Sequence, residues 1–236
     1  MEFNINEAFG WTASCISIIL YFSPVPIFFK LCKGKLRYNE TPNFTAILNY
    51  VAALNWFIYG YLLKDLHIIV GFMTGSIFSL LCIITYIIFL SKMKFTKALF
   101  TALILFTLTL IIYFLFAVLI NNKDVVGYVC VVCSIICSFE PILVIKKVVK
   151  FRNFKFIPIK LCVLSLVGST CWVIYGFMII NFQLIIPNFV RMVFSLILMF
   201  IWNIFKKRKP IMEEVANYSI TTTTRGNKTE NSVTVV

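Results

Sequence analysis

Charged side chains are scarce in this sequence of 236 residues. Only 13% of the residues are Asp, Glu, Lys or Arg, whereas a soluble domain carries about 25%. There is a single histidine, His67, and the apolar segments hold no pair of carboxylates of the kind that acid–base catalysis uses. These absences argue against an enzyme. Because 61% of the residues are apolar, the composition instead predicts an all-α protein that spans a membrane several times.

Residues that would hold a metal or a cofactor are also few. Cys130 and Cys133 are two residues apart, but they lie in an apolar segment with no pair of histidines nearby. We interpret them as small buried side chains rather than ligands. The sequence therefore predicts no metal and no cofactor.

Seven apolar segments are each long enough to cross a bilayer, which takes about 20 residues of helix. They are residues 8–29, 42–63, 67–90, 98–120, 125–145, 157–180 and 183–205. The first nine residues carry two acids and no Lys or Arg, so we expect a retained first helix rather than a cleaved signal peptide. The polar segment from Pro210 onward is rich in Ser and Thr and is expected to be disordered.

Basic residues cluster on one side of the predicted spans. Of the 22 Lys and Arg residues, 19 fall in the loops after the first, third and fifth spans or beyond the seventh, and Lys64 and Lys123 fall in the other loops. The positive-inside rule then predicts an N-terminus outside and a C-terminus in the cytosol. The net charge of +13 reflects this topology and an attraction to lipid headgroups. It does not indicate nucleic-acid binding, because the charge is divided among short loops.

An internal repeat relates the first three spans to the last three. Its landmarks, at an offset of 117 or 116 residues, are Gly10 and Gly127, Pro24 and Pro141, Pro42 and Pro158, and the runs Trp56–Gly60 and Trp172–Gly176. We therefore predict a first three-helix bundle at residues 1–96, a linker helix at 97–122, a second bundle at 123–205 and a disordered cytosolic tail at 206–236. Parallel repeats of membrane helices around a midplane site are an architecture of transporters.

The four repeated prolines lie at similar predicted depths. A proline removes a helical hydrogen bond and bends the helix, so we interpret Pro24, Pro42, Pro141 and Pro158 as a ring of hinges that gates a central path. Pro42 and Pro158 also suit the first turn of an ordinary helix.

This pattern resembles the SWEET family of sugar transporters over about residues 8–205. The residues that carry the resemblance are Tyr21-Phe22-Ser23-Pro24, Pro42, Trp56-x-x-Tyr59-Gly60, Lys64-Asp65, Gly75, Pro141, Pro158, Trp172-x-x-Tyr175-Gly176 and Pro187-Asn188. The resemblance implies two three-helix bundles joined by an inverting linker helix, which rock about a midplane sugar site. It further implies bidirectional movement of a mono- or disaccharide down its gradient, prolines near the cytosolic gate, and assembly into homo-oligomers.

The resemblance also implies which residues contact the sugar, namely Asn188, Trp172 and Trp56. An amide donates to and accepts from hydroxyls, and an indole face covers the apolar side of a sugar ring. Sixteen residues after Trp56, where the second repeat has Asn188, the first repeat has Phe72. One of the family's two amides is therefore missing, which leaves the substrate class open.

Glu140 and Arg191 are the two charged residues that we place well inside the spans. Glu140 stands where the resembling family has a small residue before the fifth-helix proline. Arg191 stands where that family has a glycine, three residues after the seventh-helix Asn. An isolated charge at membrane depth costs about 3 kcal/mol or more, so we expect Glu140 and Arg191 to form an ion pair. The pair would either brace the bundle or couple transport to a proton or to the substrate.

Two alternatives stay open on the sequence. The proton-coupled amino-acid carriers of the PQ-loop type resemble this layout, and Glu140 suits them, although Val25 and Ile142 stand where their glutamines follow the prolines. A seven-helix receptor shares the topology, but a receptor is not expected to repeat at 117 residues. We expect an integral protein of the plasma membrane, with the Golgi or vacuolar membrane as alternatives.

Overall fold

The computed structural model describes residues 5–33, 43–90 and 122–207, together with five single positions between 104 and 119. All regular structure in these ranges is helical. The helices are α1 (Ile5–Phe22), α2 (Val25–Cys32), α3 (Asn43–Leu63), α4 (Leu66–Leu90), α5 (Lys123–Cys137), α6 (Glu140–Phe151), a 3₁₀ turn (Phe154–Phe156), α7 (Ile159–Met178) and α8 (Phe182–Lys206).

The chain is an integral membrane protein, and the predicted all-α fold class is confirmed. Five described segments are long and apolar enough to cross a membrane, and the apolar helix Ile47–Leu63 is shorter. These six segments coincide with six of the seven predicted spans. The predicted linker helix lies mostly outside the described residues, although Phe114 packs against Tyr61 with ring centroids 5.9 Å apart. The tail beyond Lys207 also lies outside them.

The first span of each repeat is broken at the same place. Helix α1 ends and α2 begins on either side of Pro24, and α5 ends and α6 begins just before Pro141. A proline lacks the helical N–H and clashes with the preceding turn, which accounts for a break at these positions. Pro158 instead caps the N-terminus of α7 and marks a helix start. Pro42 lies outside the described residues.

The second and third spans of each repeat are joined by equivalent tight turns. Lys64 ends the first helix in a left-handed conformation with φ of 58°, and Ile180 does so in the other repeat with φ of 53°. The next residue caps the following helix: Asp65 accepts from the backbone N–H of His67 (3.0 Å), and Asn181 accepts from that of Leu184 (3.0 Å). A left-handed C-cap followed at once by an N-cap turns the chain back on itself.

The third span of each repeat packs against the other two of its own repeat. Helix α4 contacts α1 and α3, and α8 contacts α5 and α7, while α1 meets α7 and α3 meets α5 across the two bundles. We call the end that carries the two tight turns the Asp65 end, and the opposite end, where α7 begins, the Pro158 end. The largest fully buried side chains, Trp172 and Ile58 among them, lie where the bundles meet.

Candidate functional site

Equivalent hydrogen bonds join the two bundles at the Asp65 end. The hydroxyl of Tyr175 on α7 donates to Asp65 Oδ2 at 2.6 Å. At the matching positions of the other repeat, Tyr59 on α3 pairs with Asn181: the amide Nδ2 donates to the hydroxyl at 2.8 Å, and Oδ1 lies 3.1 Å from it. Each tyrosine thus fastens one bundle to the turn of the other.

His67 extends the contacts around Asp65. Its Nε2 lies 2.9 Å from Glu7 Oε2, and its Nδ1 lies 3.1 Å from Asp65 Oδ1 and 3.1 Å from the Tyr175 hydroxyl. His67 is 9% exposed, whereas the Glu7 side chain is 56% exposed, so solvent screens the ion pair with Glu7 and its stabilising effect is small. We name Glu7, Asp65, His67 and Tyr175 the His67 cluster.

A glycine makes room for each of these arrangements. A Cβ atom added at Gly10 would lie 2.7 Å from the His67 ring, and one added at Gly127 would lie 2.8 Å from Cγ of Gln183. Gln183 is the repeat equivalent of His67, so the repeated glycines of the sequence are explained by the close approach of the opposing side chain.

A second pair of equivalent hydrogen bonds involves the two repeated tryptophans. Trp56 Nε1 donates to the Ser134 hydroxyl at 2.8 Å, and Trp172 Nε1 donates to the Ser17 hydroxyl at 2.9 Å. All four residues are at least 93% buried. Each bond crosses from one bundle to the first helix of the other, so the indoles hold the bundles together.

Phe72 lies between the two indoles. Its ring centroid is 5.6 Å from that of Trp56 at an interplanar angle of 23°, and 5.6 Å from that of Trp172 at 30°. Offset stacking of this kind is favourable beyond the burial of area. The rings of Trp56, Phe72 and Trp172, which we name the aromatic stack, therefore form a continuous layer across the junction of the bundles.

A cavity of about 300 Å³ lies on the other side of this layer, and it reaches from Phe72 and Ser17 to Pro158. Phe72 and Ser17 are buried and Pro158 is exposed, from which we infer that the mouth of the cavity lies at the Pro158 end. Most of the wall is apolar; the polar wall residues are Ser17, Tyr21, Ser23, Asn49, Ser138, Ser165, Ser195 and Arg191. Among the described wall residues, Arg191 carries the single charge.

The structure brings some of the predicted site residues to this cavity and leaves others behind it. Phe72, Pro141, Pro158 and Arg191 line the wall. Trp56, Trp172 and Asn188 are 3%, 1% and 5% exposed and are absent from that wall. Asn188 Nδ2 donates to the Leu184 carbonyl of its own helix at 2.8 Å.

Two predictions fall partly outside the described residues. The side chain of Glu140 is not among them, so its ion pair with Arg191 stays a prediction. Pro24 lies next to Ser23, which lines the wall, and Pro42 is not described. The four-proline gate therefore also stays a prediction.

The comparisons with known proteins agree with this architecture. Residues 7–94 and 124–210 match the family described as sugar efflux transporters for intercellular exchange, and these two ranges cover the two repeats and more than half of the chain. The chain belongs to this family, the SWEET family. Its members are transporters rather than enzymes, which confirms the expectation drawn from the scarcity of acids and histidine.

Curated SWEET relatives match along most of the chain. A bidirectional sugar transporter NEC1 of Petunia hybrida is 25% identical over 220 residues, which are 89% of this chain and 81% of the relative. The bidirectional sugar transporter SWEET10 of Arabidopsis thaliana is 26% identical over 213 residues, 86% of this chain and 72% of the relative. A solved eukaryotic SWEET transporter has the same fold, with a TM-score of 0.77 and 16% identity over 87% of this chain and all of that chain.

Several contacts of this SWEET chain were not anticipated from its sequence. Ser17 and Ser134 are 117 residues apart, and Asp65 and Asn181 are 116 apart, so the repeat offset was a signal that could have identified both pairs. The sequence did not indicate the contacts of His67 with Glu7 and Tyr175.

Proposed function

We propose that this chain carries a small sugar across a membrane by alternating access, in either direction and down the gradient of the sugar. One observation supports this most directly. The two bundles are fastened at the Asp65 end by repeat-equivalent hydrogen bonds, and a cavity between them has its mouth at the Pro158 end. A carrier needs this arrangement in one half of its cycle and the reverse in the other half.

The reverse state requires that specific contacts open. Tyr59 would separate from Asn181 and Tyr175 from Asp65, and the two indoles would leave their serines. The breaks beside Pro24 and before Pro141 supply positions at which the first span of each repeat can bend while the Pro158 end closes. We propose that Pro24 and Pro141 form the gate together with Pro42 and Pro158.

We place the Asp65 end outside and the Pro158 end in the cytosol, from the distribution of Lys and Arg. The described conformation is then the inward-facing one. The plasma membrane is our proposed location, with the Golgi or vacuolar membrane as alternatives, and homo-oligomeric assembly is proposed from family membership alone. Asn39 and Asn43 each begin an Asn-x-Thr triplet, the acceptor sequence for N-glycosylation. Glycosylation at either one would contradict this orientation, because both triplets would face the cytosol.

Asn188, Trp172, Trp56 and Phe72 are the proposed sugar contacts at the level of the aromatic stack. In the described conformation this level is closed, so the sugar would reach it when the stack separates.

The Glu140–Arg191 ion pair is proposed to brace the second bundle. The charge-reversed double variant Glu140→Arg with Arg191→Glu should fold better than either single variant, as size-exclusion profiles and thermal unfolding would show; a double variant no better than the singles would reject the pair.

The transport function is tested with purified protein in liposomes and labelled glucose, with and without an imposed proton gradient. We expect uptake that does not depend on the proton gradient and is lost in Asn188→Ala. Asn203, exposed on the same helix, provides the matched control, and Asn203→Ala should transport normally. Absence of flux for glucose and for a wider panel of sugars would reject the proposal.

The amino-acid carrier is not favoured, because the matching family and the matching curated relatives are described as sugar transporters. The same experiment separates the two: gradient-driven uptake of amino acids with no sugar flux would indicate the PQ-loop type of carrier.

A further inference from the structure

The polar sugar contacts implied by family membership each have a hydrogen-bond donor engaged within the protein. The indole N–H groups of Trp56 and Trp172 donate to serine hydroxyls, and the Asn188 Nδ2 donates to a backbone carbonyl. None of the three residues lines the cavity in this conformation. A sugar that enters from the Pro158 end therefore meets other polar groups first.

Phe72 forms the inner boundary of that cavity. It replaces the amide that the resembling family carries at this position, and it is stacked between the two indoles. A phenyl ring offers a sugar an apolar surface and no hydrogen bond. The polar recognition lost at Phe72 has to come from another part of the wall.

Arg191 is placed to supply it. It follows Asn188 by three residues on α8, which displaces it about 4.5 Å along the helix toward the Pro158 end. The residue is half-buried and lines the cavity. Ser165 and Ser195, whose hydroxyls are 3.3 Å apart, line the same wall and give the site further donors and acceptors.

We propose that Arg191 is the specificity-determining residue of this carrier. Its guanidinium donates to two adjacent oxygen atoms of the sugar, in the cavity between Phe72 and Pro158. Two neighbouring hydroxyls and the carboxylate of an acidic sugar both present such a pair, and the planar fork of Arg matches either one. This inference rests on the proposed function, and it moves the recognition site toward the cytosol relative to the aromatic stack.

The predicted ion pair with Glu140 is compatible with this role. A guanidinium has five N–H donors, and a carboxylate engages two of them in a bidentate pair. Donors therefore remain for the sugar. A lysine at this position would keep the charge but lose the fork, which makes Arg191→Lys the informative variant.

The test measures KM in liposomes for glucose, for a series of glucose analogues that each lack one hydroxyl, and for glucuronate. In the unsubstituted protein, loss of a contacted hydroxyl should raise KM about tenfold or more, since hydrogen bonds to charged groups are the stronger ones. In Arg191→Lys this penalty should fall below about threefold at the contacted positions and persist at the others. Arg152→Lys, the same change at an exposed loop residue outside the cavity, should leave the whole series unchanged.

The glucuronate arm identifies the pair of oxygens. A lower KM for glucuronate than for glucose, with the preference reduced in Arg191→Lys because the fork is lost, indicates the carboxylate. The opposite order indicates neighbouring hydroxyls. If the analogue series of Arg191→Lys parallels that of the unsubstituted protein, Arg191 is structural and the inference is wrong. If the unsubstituted protein moves none of these sugars, the proposed function fails and the inference fails with it.

If Arg191→Lys does not fold, the role of Arg191 is tested on the unsubstituted protein instead. The protein is treated with phenylglyoxal, which modifies arginine, and the modified positions are read by mass spectrometry. The transported sugar should protect Arg191 and leave Arg152 reactive. Equal protection of both residues, or protection of neither, would overturn the inference.

Discussion

Replacing Ser134 by alanine removes the acceptor of the Trp56 indole N–H. The hydrogen bond is 2.8 Å long, and both residues are almost fully buried. Alanine suits the interior of α5, so the helix itself is preserved. The variant therefore changes one contact between the two bundles and little else.

The expected magnitude follows from the stranded donor. A buried N–H with no acceptor costs about 1–3 kcal/mol, and this cost applies only while the Asp65 end is closed, because opening hydrates the indole. The free energy of the closed state rises relative to the open state by that amount. The population ratio should then shift toward opening by roughly 5- to 150-fold. Ser17→Ala should act in the same way, since Ser17 accepts from Trp172 at 2.9 Å.

The assay is a distance distribution between spin labels at Leu66 and Phe182. These positions are repeat equivalents at the start of α4 and α8, and they are 62% and 63% exposed. Because the chain has eight cysteines, the labels are attached to encoded non-natural amino acids. Electron–electron resonance in liposomes should show more long distances in Ser134→Ala and Ser17→Ala than in the unsubstituted protein.

Ser169→Ala is the matched control. Ser169 is 2% exposed, but within the described part of the chain its hydroxyl bonds only to carbonyls of its own helix, at 2.7 Å and 3.0 Å. It should leave the distances unchanged. The reasoning is refuted if Ser134→Ala keeps the original distribution, or if Ser169→Ala shifts it equally.

Three further predictions concern the turns, the His67 cluster and the aromatic stack. Ile180 is β-branched with φ of 53°, so Ile180→Gly should raise stability by about 1 kcal/mol; a lower thermal midpoint would contradict this. His67→Gln installs the residue of the other repeat, so the distances between the spin labels at the Asp65 end should stay shorter than in His67→Ala. Equal distances in the two variants would show that the His67 cluster does not hold the bundles together. Phe72→Asn loses two stacked pairs worth about 0.5–1.5 kcal/mol each, which lowers stability. The same change restores an amide that can bind the sugar, so KM for glucose should fall in the liposome assay. An unchanged or higher KM would speak against the missing amide as a sugar contact.

The helix positions were largely predictable because the bilayer determines the length of each apolar segment. The spans predicted at 157–180 and 183–205 are observed as Ile159–Met178 and Phe182–Lys206, within a few residues. The repeat also predicted the breaks near Pro24 and Pro141. These features depend on local composition and on spacing along the chain.

The contacts between the bundles were less predictable for a physical reason. The spans are apolar on all sides, so no polar stripe indicates which face of α4 carries Phe72 toward the indoles. The offset of 117 residues relates Ser17 to Ser134, but it does not show that each bonds to a tryptophan of the opposite bundle. That result depends on how the bundles meet.

The burial of Trp56 and Trp172 gives the protein an intrinsic optical signal. Only two other tryptophans are present. Trp11 is 42% exposed and packs beside His67. The ring centroid of Trp202 lies 4.6 Å from Lys206 Nζ. Neither of these belongs to the aromatic stack. When the aromatic stack separates, two dry indoles become hydrated together, and their emission should shift to longer wavelength. Stopped-flow fluorescence of the unlabelled chain would then report the rate at which the carrier changes sides.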